Sequence, residues 1–406
     1  MRALYISYDG ATEPIAGSQI IPYLEKLAAR GVKFFLVTFD KKEYLADDGQ
    51  VVNTKDIFRA KGIDWFSLRY HKRPTALATA WDIFHGFIVS FYIVLKEKIY
   101  IVHARSYVSA LIALGLKFIL RRKFVFDMRG YWADERIDGQ IWPEGSALYK
   151  IAKYMEKVFV NNADFIVVLT ESMKNRLRQD YRLDHKPIEV IPTCVDLRQF
   201  QILRPEDKDD FLNREIKDKI HAKDLLIYLG SLGTVYMLEE MFELYKILRS
   251  HISNLHFLLL TQSDREIAHD AALKRGIADN GFTVASVRHA DVSRWLNLGK
   301  LAIAFYRPTF SVIGRAPTKI GEYLACGLPA IVNKGVGDID TILAEQKVGI
   351  VLESFDQQGY KQALPGILDL LGSKDLRQRC HKVAQDYFSL EKGVNGYFKI
   401  YQTLKN

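Results

Sequence analysis

Lys319 and Glu322 stand three residues apart in the segment Pro317-Thr318-Lys319-Ile320-Gly321-Glu322-Tyr323-Leu324-Ala325-Cys326-Gly327-Leu328-Pro329. If Thr318 opens a helix there, the two side chains share one face near its N-terminus. An ammonium added to the positive end of a helix dipole suits a diphosphate. A carboxylate one turn further on can accept bonds from two ribose hydroxyls. Arg315, four residues before Lys319, supplies a second cation. The same pair on an ordinary surface helix would contribute little.

Four other segments carry residues of this kind, and each follows a strand-like run. Gly230-Ser231-Leu232-Gly233-Thr234 offers glycines where a backbone can approach a diphosphate, without the Gly-Lys-Ser/Thr ending of a P-loop. Asp9 to Ser18 contains Gly17 ahead of a helix expected from about Gln19 to Arg30, and it lacks the G-x-G-x-x-G dinucleotide pattern. His103 and Arg105 are expected where a strand gives way to a helix, the first as a donor to a substrate oxygen and the second as an anion clamp. Asp127-Met128-Arg129-Gly130-Tyr131-Trp132-Ala133-Asp134-Glu135-Arg136 is too polar for a core segment. Its rings and acids suit sugar recognition, with Arg129, Trp132, Asp134 and Glu135 as the candidates. Each of these also has a plainer reading, as a turn, a helix cap or a satisfied strand-end histidine.

The elements that must position these residues are short apolar runs alternating with helical stretches. The expected strands are 3–8, 32–39, 100–104, 124–128, 164–169 and 189–192, then 225–230, 256–260, 282–287, 302–305, 330–333 and 349–352. Near-continuous apolar strands in this order imply parallel sheets covered on both faces. The charged stretch 203–223 reads as a linker. The expected fold class is α/β, with two doubly wound Rossmann-like domains, 1–200 and 201–386, facing across a cleft. A helical tail, 387–406, carries Tyr387, Phe388, Tyr397, Phe398 and Tyr401.

With 406 residues, 49% hydrophobic and 26% charged, the chain has a globular composition and needs no disulfide or metal staple. Cys194, Cys326 and Cys380 are too scattered for a zinc site, and so sparse a set fits a reducing compartment. No signal peptide is expected. The apolar runs 83–95 and 106–120 read as buried helices, so a cytoplasmic protein is expected, at most peripheral on the inner face of the cell membrane. Between Trp65 and Val125 ten Lys and Arg residues face only Asp82 and Glu97, so this stretch holds nearly all of the net +9. Such a field favours phosphates or anionic lipid, with Lys117, Arg121, Arg122 and Lys123 as the docking cations. No nucleic-acid recognition motif accompanies it, so no nucleic-acid partner is expected. Two Asp-x-Asp pairs occur, Asp207-Lys208-Asp209 in the linker and Asp338-Ile339-Asp340, where Asp338 is expected to cap a helix. No metal and no other cofactor is expected.

The Glu322 segment resembles the donor-binding segment of retaining family 4 glycosyltransferases with the GT-B fold. Further similar segments, in the same order along the chain, are Phe126–Glu135, Ile191–Asp196, Tyr228–Thr234 and Gly335–Asp338, and the helical tail is similar to one that crosses back onto the first domain. The resemblance implies metal-independent transfer of a sugar from a nucleotide-sugar donor to a glycan or lipid-linked acceptor, with retention, in cell-surface polysaccharide or glycolipid synthesis. It implies that Glu322 holds the donor ribose and that Lys319 and Arg315 lie near the diphosphate. Thr318, Gly230, Ser231 and Gly233 fall on the donor side, and Gly17 in the N-terminal phosphate-side loop. His103 and Arg105 fall where the transferred sugar is contacted. The chain departs from the family at two places: Gly314 stands where the first glutamate of a Glu-x7-Glu pair belongs, and Val235-Tyr236-Met237 replaces an Arg…Lys pair. A sugar-nucleotide 2-epimerase, or an inactive nucleotide-binding relative, would share the architecture.

Overall fold

The computed structural model describes residues 1–45, 48–73, 75–204, 214–233 and 235–405. Thr234 and Asp207-Lys208-Asp209 lie outside the described residues.

Apolar strands flanked by helices on both faces assemble two separate parallel sheets. The first contains β1 (Arg2–Ser7), β2 (Lys33–Asp40), β3 (Ile63–Arg69), β4 (Ile101–Arg105), β5 (Lys123–Asp127), β6 (Phe165–Val168) and β7 (Ile188–Val190), in the order β3-β2-β1-β4-β5-β6-β7. The second contains β8 (Asp224–Leu229), β9 (Leu255–Leu260), β10 (Phe282–Ala285), β11 (Gly299–Ala304), β12 (Ala330–Asn333) and β13 (Gly349–Leu352), in the order β10-β9-β8-β11-β12-β13. Strand order reverses between β1 and β4 in one sheet and between β8 and β11 in the other. Ligands of open parallel sheets bind beyond the carboxyl ends of the strands at such a reversal. The two-domain α/β fold expected from the strand–helix alternation is the one observed.

The chain divides into two units. Met1–Pro192 together with the C-terminal helix Leu390–Lys405 forms one, and Thr193–Ser389 forms the other. Residues 193–204, ahead of the charged stretch, already belong to the second unit. The C-terminal helix buries Leu390, Val394, Tyr397, Ile400, Tyr401 and Leu404 in the first unit.

The structure corrects the sequence reading at three points. Strand β3 was not expected. It is an edge strand that alternates buried Ile63, Trp65 and Leu68 with half-buried Asp64, Phe66 and Ser67, so it carries no apolar run. The helix expected from Gln19 starts earlier, as Pro14–Gln19, and is followed by Ile21–Ala29. Pro14 and Pro22 each sit in a first turn, where a missing N–H costs nothing. The third correction is the Thr75–Lys96 helix, which is not buried: over Ala76–Lys96 it is long and apolar enough to cross a membrane, yet only 33% of its most apolar window is covered by protein. The Ser106–Leu120 helix is the buried one of the two, with Tyr107, Ile112, Leu114 and Leu116 inside.

Each buried apolar side chain of the C-terminal helix contributes about 1.5–3 kcal/mol, so the six together contribute about 9–18 kcal/mol, as much as the roughly 5–15 kcal/mol net stability of a whole domain. Deleting 390–406 should therefore abolish the cooperative transition of the first unit and leave that of the second, as read by differential scanning calorimetry.

Candidate functional site

In the second unit the Thr318–Ala325 helix starts at Thr318, and Lys319, Ile320, Gly321 and Glu322 are all buried in it. The Lys319 ammonium is enclosed by tyrosines. Its Nζ lies 3.9 Å from the centroid of Tyr236, 4.4 Å from Tyr228 and 5.9 Å from Tyr306. It donates a hydrogen bond to Tyr228 Oη at 3.3 Å. Among the described residues no carboxylate reaches Nζ within ion-pair distance. Burial pushes the Lys319 ammonium down to about 7, while the Glu322 charge pulls it the other way. Burial also raises Tyr228 and Tyr306 well above the ordinary phenol range, so the rings that face the cation are neutral.

These residues come from loops at the reversal between β8 and β11. Tyr228 and Gly230 close β8, and Tyr306 follows β11, its N–H donating to Asn333 Oδ1 at 2.7 Å. Gly230 has φ +130°, and a Cβ there would stand 2.6 Å from Lys319 Nζ. Only glycine leaves the lysine that space without backbone strain. Tyr228 donates to the Ser231 carbonyl at 2.6 Å, and Gly233 bends the loop with φ +88°. Arg315 lies close enough for its charge to act on Tyr236 and Tyr306. Glu322 Oε1 is 3.3 Å from His289 Nε2, and that bond raises the imidazole above its ordinary value. His289 was not anticipated. Its one signal in the sequence was its place in a loop after a strand, β10.

In the first unit, β4 and β5 carry a second polar group. Burial leaves His103 1% exposed. Its Nδ1 is 2.6 Å from Tyr401 Oη and its Nε2 3.5 Å from Asp127 Oδ2. Tyr397 donates to Asp127 at 2.8 Å. Burial alone would raise Asp127, but the Arg129 guanidinium, 3.8 Å away, and His103 outweigh it and hold the carboxyl at about 2. His103, expected at the mouth of a strand, is thus a core group. Burial lowers its affinity for protons, so it is neutral, and it packs against the C-terminal helix.

Arg105 and Arg129 converge instead. Each donates to Gln19 Oε1, at 2.9 Å and 3.0 Å. Arg105 lies 3.6 Å from Asp9 through Nε, while its buried Nη1 has no hydrogen-bond partner. Ser106 (φ 66°) and Arg129 (φ 62°) both take left-handed backbone just after their strands, a strain that clusters at ligand sites.

Asp134 is not free to face a sugar. It accepts from Tyr149 Oη at 2.9 Å and Lys153 Nζ at 3.0 Å, in a buried network with Glu156 and Tyr107. Trp132 lies between Tyr107 and Trp142, with Arg136 over its ring. Glu135 is half-buried beside Gly130. Gly17 is inside the Pro14–Gln19 helix rather than ahead of it, and its N–H donates to the Glu13 carbonyl at 3.2 Å. That amide is therefore spoken for. Asp338 stands at the N-cap of Ile339–Glu345 without a side-chain capping bond, and Asp340 accepts from Gly335 N at 2.9 Å. Among the described residues no three His, Cys, Asp or Glu side chains group closely enough to hold a metal ion.

Residues 20–199 match the family described as Glycosyltransferase Family 4, and residues 209–387 match Glycosyl transferases group 1. The chain is a family 4 glycosyltransferase. No curated protein matches its sequence. The fold of this glycosyltransferase is similar to that of sucrose-phosphate synthase from Thermosynechococcus elongatus, at TM-score 0.73 and 14% identity, over 99% of this chain and 98% of that one. It is also similar to a glycosyltransferase from Rickettsia africae, at TM-score 0.71 and 15% identity, over 100% and 98%. A third similar structure is Anabaena HepE in complex with UDP, at TM-score 0.65 and 13% identity, over 100% of both chains.

Gly230→Ala in the glycosyltransferase forces a side chain into positive φ and against Lys319, and strain of that kind costs about 1–3 kcal/mol. Urea unfolding should show the loss in the transition of the second unit, and a midpoint equal to wild type would show that the loop relaxes freely.

Proposed function

We propose that this glycosyltransferase moves a hexosyl group from a nucleotide-sugar donor, with retention and without a metal, to a glycan or lipid-linked acceptor in cell-surface polysaccharide or glycolipid synthesis in the cytoplasm. The observation that carries the reading is the buried ammonium of Lys319, caged by neutral rings and without a carboxylate at ion-pair distance among the described residues. Such a group is completed by an anion. The UDP complex of the similar Anabaena fold supports a nucleotide diphosphate as that anion.

As the glycosidic bond breaks, negative charge gathers on the leaving diphosphate. A preorganised cation in a low-dielectric site stabilises that charge more in the transition state than in the ground state. Lys319 fills this role, Arg315 adds charge beside the same rings, and Gly230, Ser231, Gly233 and Thr318 line the phosphate side. Glu322 takes ribose hydroxyls in place of His289. In the first unit, Arg105 and Arg129 favour an acceptor that carries an anionic group, because the unpartnered Nη1 of Arg105 is a donor without an acceptor. His103 serves as a positioning residue that holds Asp127. Retention follows from attack on the same face as the departing diphosphate, with a donor phosphate oxygen taking the acceptor proton.

Screening a panel of nucleotide sugars by thermal shift, with mass spectrometry of products, tests the reading. An altered sugar nucleotide formed without any acceptor would make the protein an isomerase. Activity should persist in a chelator. Loss in chelator with rescue by manganese would assign the reaction to a metal.

Glu322→Ala should weaken the donor found in that panel by the worth of a charge-assisted bond, about 1.5–3 kcal/mol. An unchanged donor dissociation constant would remove Glu322 from the site.

Donor affinity should also depend on pH through Lys319. A diphosphate favours the ammonium and raises its pKa from about 7. Below pH 7 the lysine is already charged and binding takes up no proton. Above pH 7 binding draws one in, so affinity falls by up to about tenfold per pH unit. Titration calorimetry in buffers of different ionisation enthalpy reads the proton directly, and Lys319→Ala should flatten the profile.

A further inference from the structure

The Thr75–Lys96 helix is packed inside out. Its buried face carries small or polar residues, Ala78, Asp82, Gly86 and Ser90, followed by Ile93 and Val94. Its outer face carries Leu77, Trp81, Phe84, Ile88, Tyr92 and Leu95, at spacings of three and four, each between 48% and 72% exposed. Burial in water-facing proteins sorts the other way, and a row of exposed large apolar side chains along one helix face marks a contact site. Phe118 and Ile119 on the neighbouring Ser106–Leu120 helix are equally bare and extend the patch.

The inner face is fixed to the protein. A Cβ at Gly86 would stand 2.6 Å from Phe39 and 2.8 Å from Ile112, so the glycine sets the close approach of this helix to β2 and to Ser106–Leu120. Asp82 accepts bonds from Tyr8 Oη at 2.9 Å and from the His71 N–H at 3.1 Å, and lies 2.6 Å from His71 Nδ1. A helix tied down by a buried carboxylate along one side cannot cross a bilayer. It can lie on one, its length of about 33 Å parallel to the surface.

Charge selects the occupant. Asp82 is the one acid in the helix and is buried. Lys72 and Arg73 are exposed just before the helix, and Lys96 and Lys98 at its end. Arg121 is exposed and Arg122 half-exposed after Ile119. Lys117 and Lys123, two of the cations expected to dock, are instead engaged by Asp164, at 2.5 Å and 3.4 Å. Glu97, the nearest acid in sequence, lies 3.4 Å from Arg2. The face is therefore an apolar aromatic stripe with cationic ends. Trp and Tyr are the residues that sit at headgroup level, and each nearby cation is attracted by anionic lipid. Two copies of the chain pairing antiparallel through this face would bring the cationic end of one against that of the other.

We propose that the outer face of the Thr75–Lys96 helix, with Phe118 and Ile119, docks the protein on an anionic lipid bilayer, lying in the interface rather than spanning it. This holds whichever donor or acceptor the protein uses.

The full-length protein is tested by co-sedimentation with vesicles of phosphatidylcholine and phosphatidylglycerol at 3:1, against phosphatidylcholine alone. Wild type should bind the anionic vesicles and be released only in part by 0.5 M salt. Trp81→Gln, Phe84→Gln, Ile88→Gln and Tyr92→Gln together should reduce binding at least tenfold, with unchanged circular dichroism. Quenching by brominated lipid provides a milder readout: wild-type fluorescence should be quenched on the vesicles, and Trp81→Phe should lose that quenching. Wild type left in the supernatant at low salt would overturn the proposal, as would a quadruple variant that binds equally well. A dimer in lipid-free sedimentation that the quadruple variant dissociates, without vesicle binding by wild type, would give the face to a second copy instead.

Discussion

An ammonium held out of water, with no carboxylate at ion-pair distance among the described residues, is costly, and the loops after β8 and β11 are arranged around that cost. Lys319 is within 6 Å of three tyrosine ring centroids. Ring quadrupoles attract the cation without neutralising it. A carboxylate would have satisfied the lysine and filled the place of an incoming anion. Gly230 is kept free of a side chain so that the ammonium fits. The Tyr323 hydroxyl accepts from Leu229 N at 2.8 Å, tying the Thr318–Ala325 helix to the end of β8. The three rings come from the β8 end, the following loop and the β11 end, so the cage exists only if strand order reverses between those two strands.

Much of this was legible in the sequence. All six strands of the second sheet show as apolar runs, and its four central strands, β9, β8, β11 and β12, are covered on both faces and carry no polar alternation. Edge strand β3 is covered less evenly and left no such run. Thr318 as the first helical residue, and Lys319 beside Glu322, follow from spacing alone. The cage does not. Tyr228, Tyr236 and Tyr306 are far apart in sequence, and nothing local distinguishes a ring that faces a cation from one that fills a core. His289 escaped for the same reason: its partner Glu322 is 33 residues away.

In the first unit the candidates that turn inward share a cause. His103 and Asp134 are polar residues near the carboxyl ends of strands, where ligands bind, and both are buried with protein partners. Strand-end position cannot tell a group that points outward from one that points back into the fold. For His103 the deciding partner, Tyr401, lies 298 residues on, in a helix whose membership in this unit no local pattern reveals. Gly17 misled differently. A glycine before an expected helix implies free amides, but the helix begins at Pro14 and the Gly17 N–H is bonded.

The departure from the family pattern at Val235-Tyr236-Met237 has a physical sense in the fold. Where cations follow the glycine loop in the family, Tyr236 here places its ring 3.9 Å from the Lys319 ammonium. A lysine or arginine at that position would bring a like charge against one already desolvated, and the repulsion would lower Lys319 further. A neutral ring instead faces the ammonium and keeps water off it. Water exclusion also strengthens that charge, since a buried ammonium acts through a lower effective dielectric than a solvated one would. Tyr236 is held there by a bridge to Tyr306, so the strand end, the loop and the cage form one construction. The ring at Tyr236 thus adds to the burial of the Lys319 ammonium, and that burial brings its titration down to about 7.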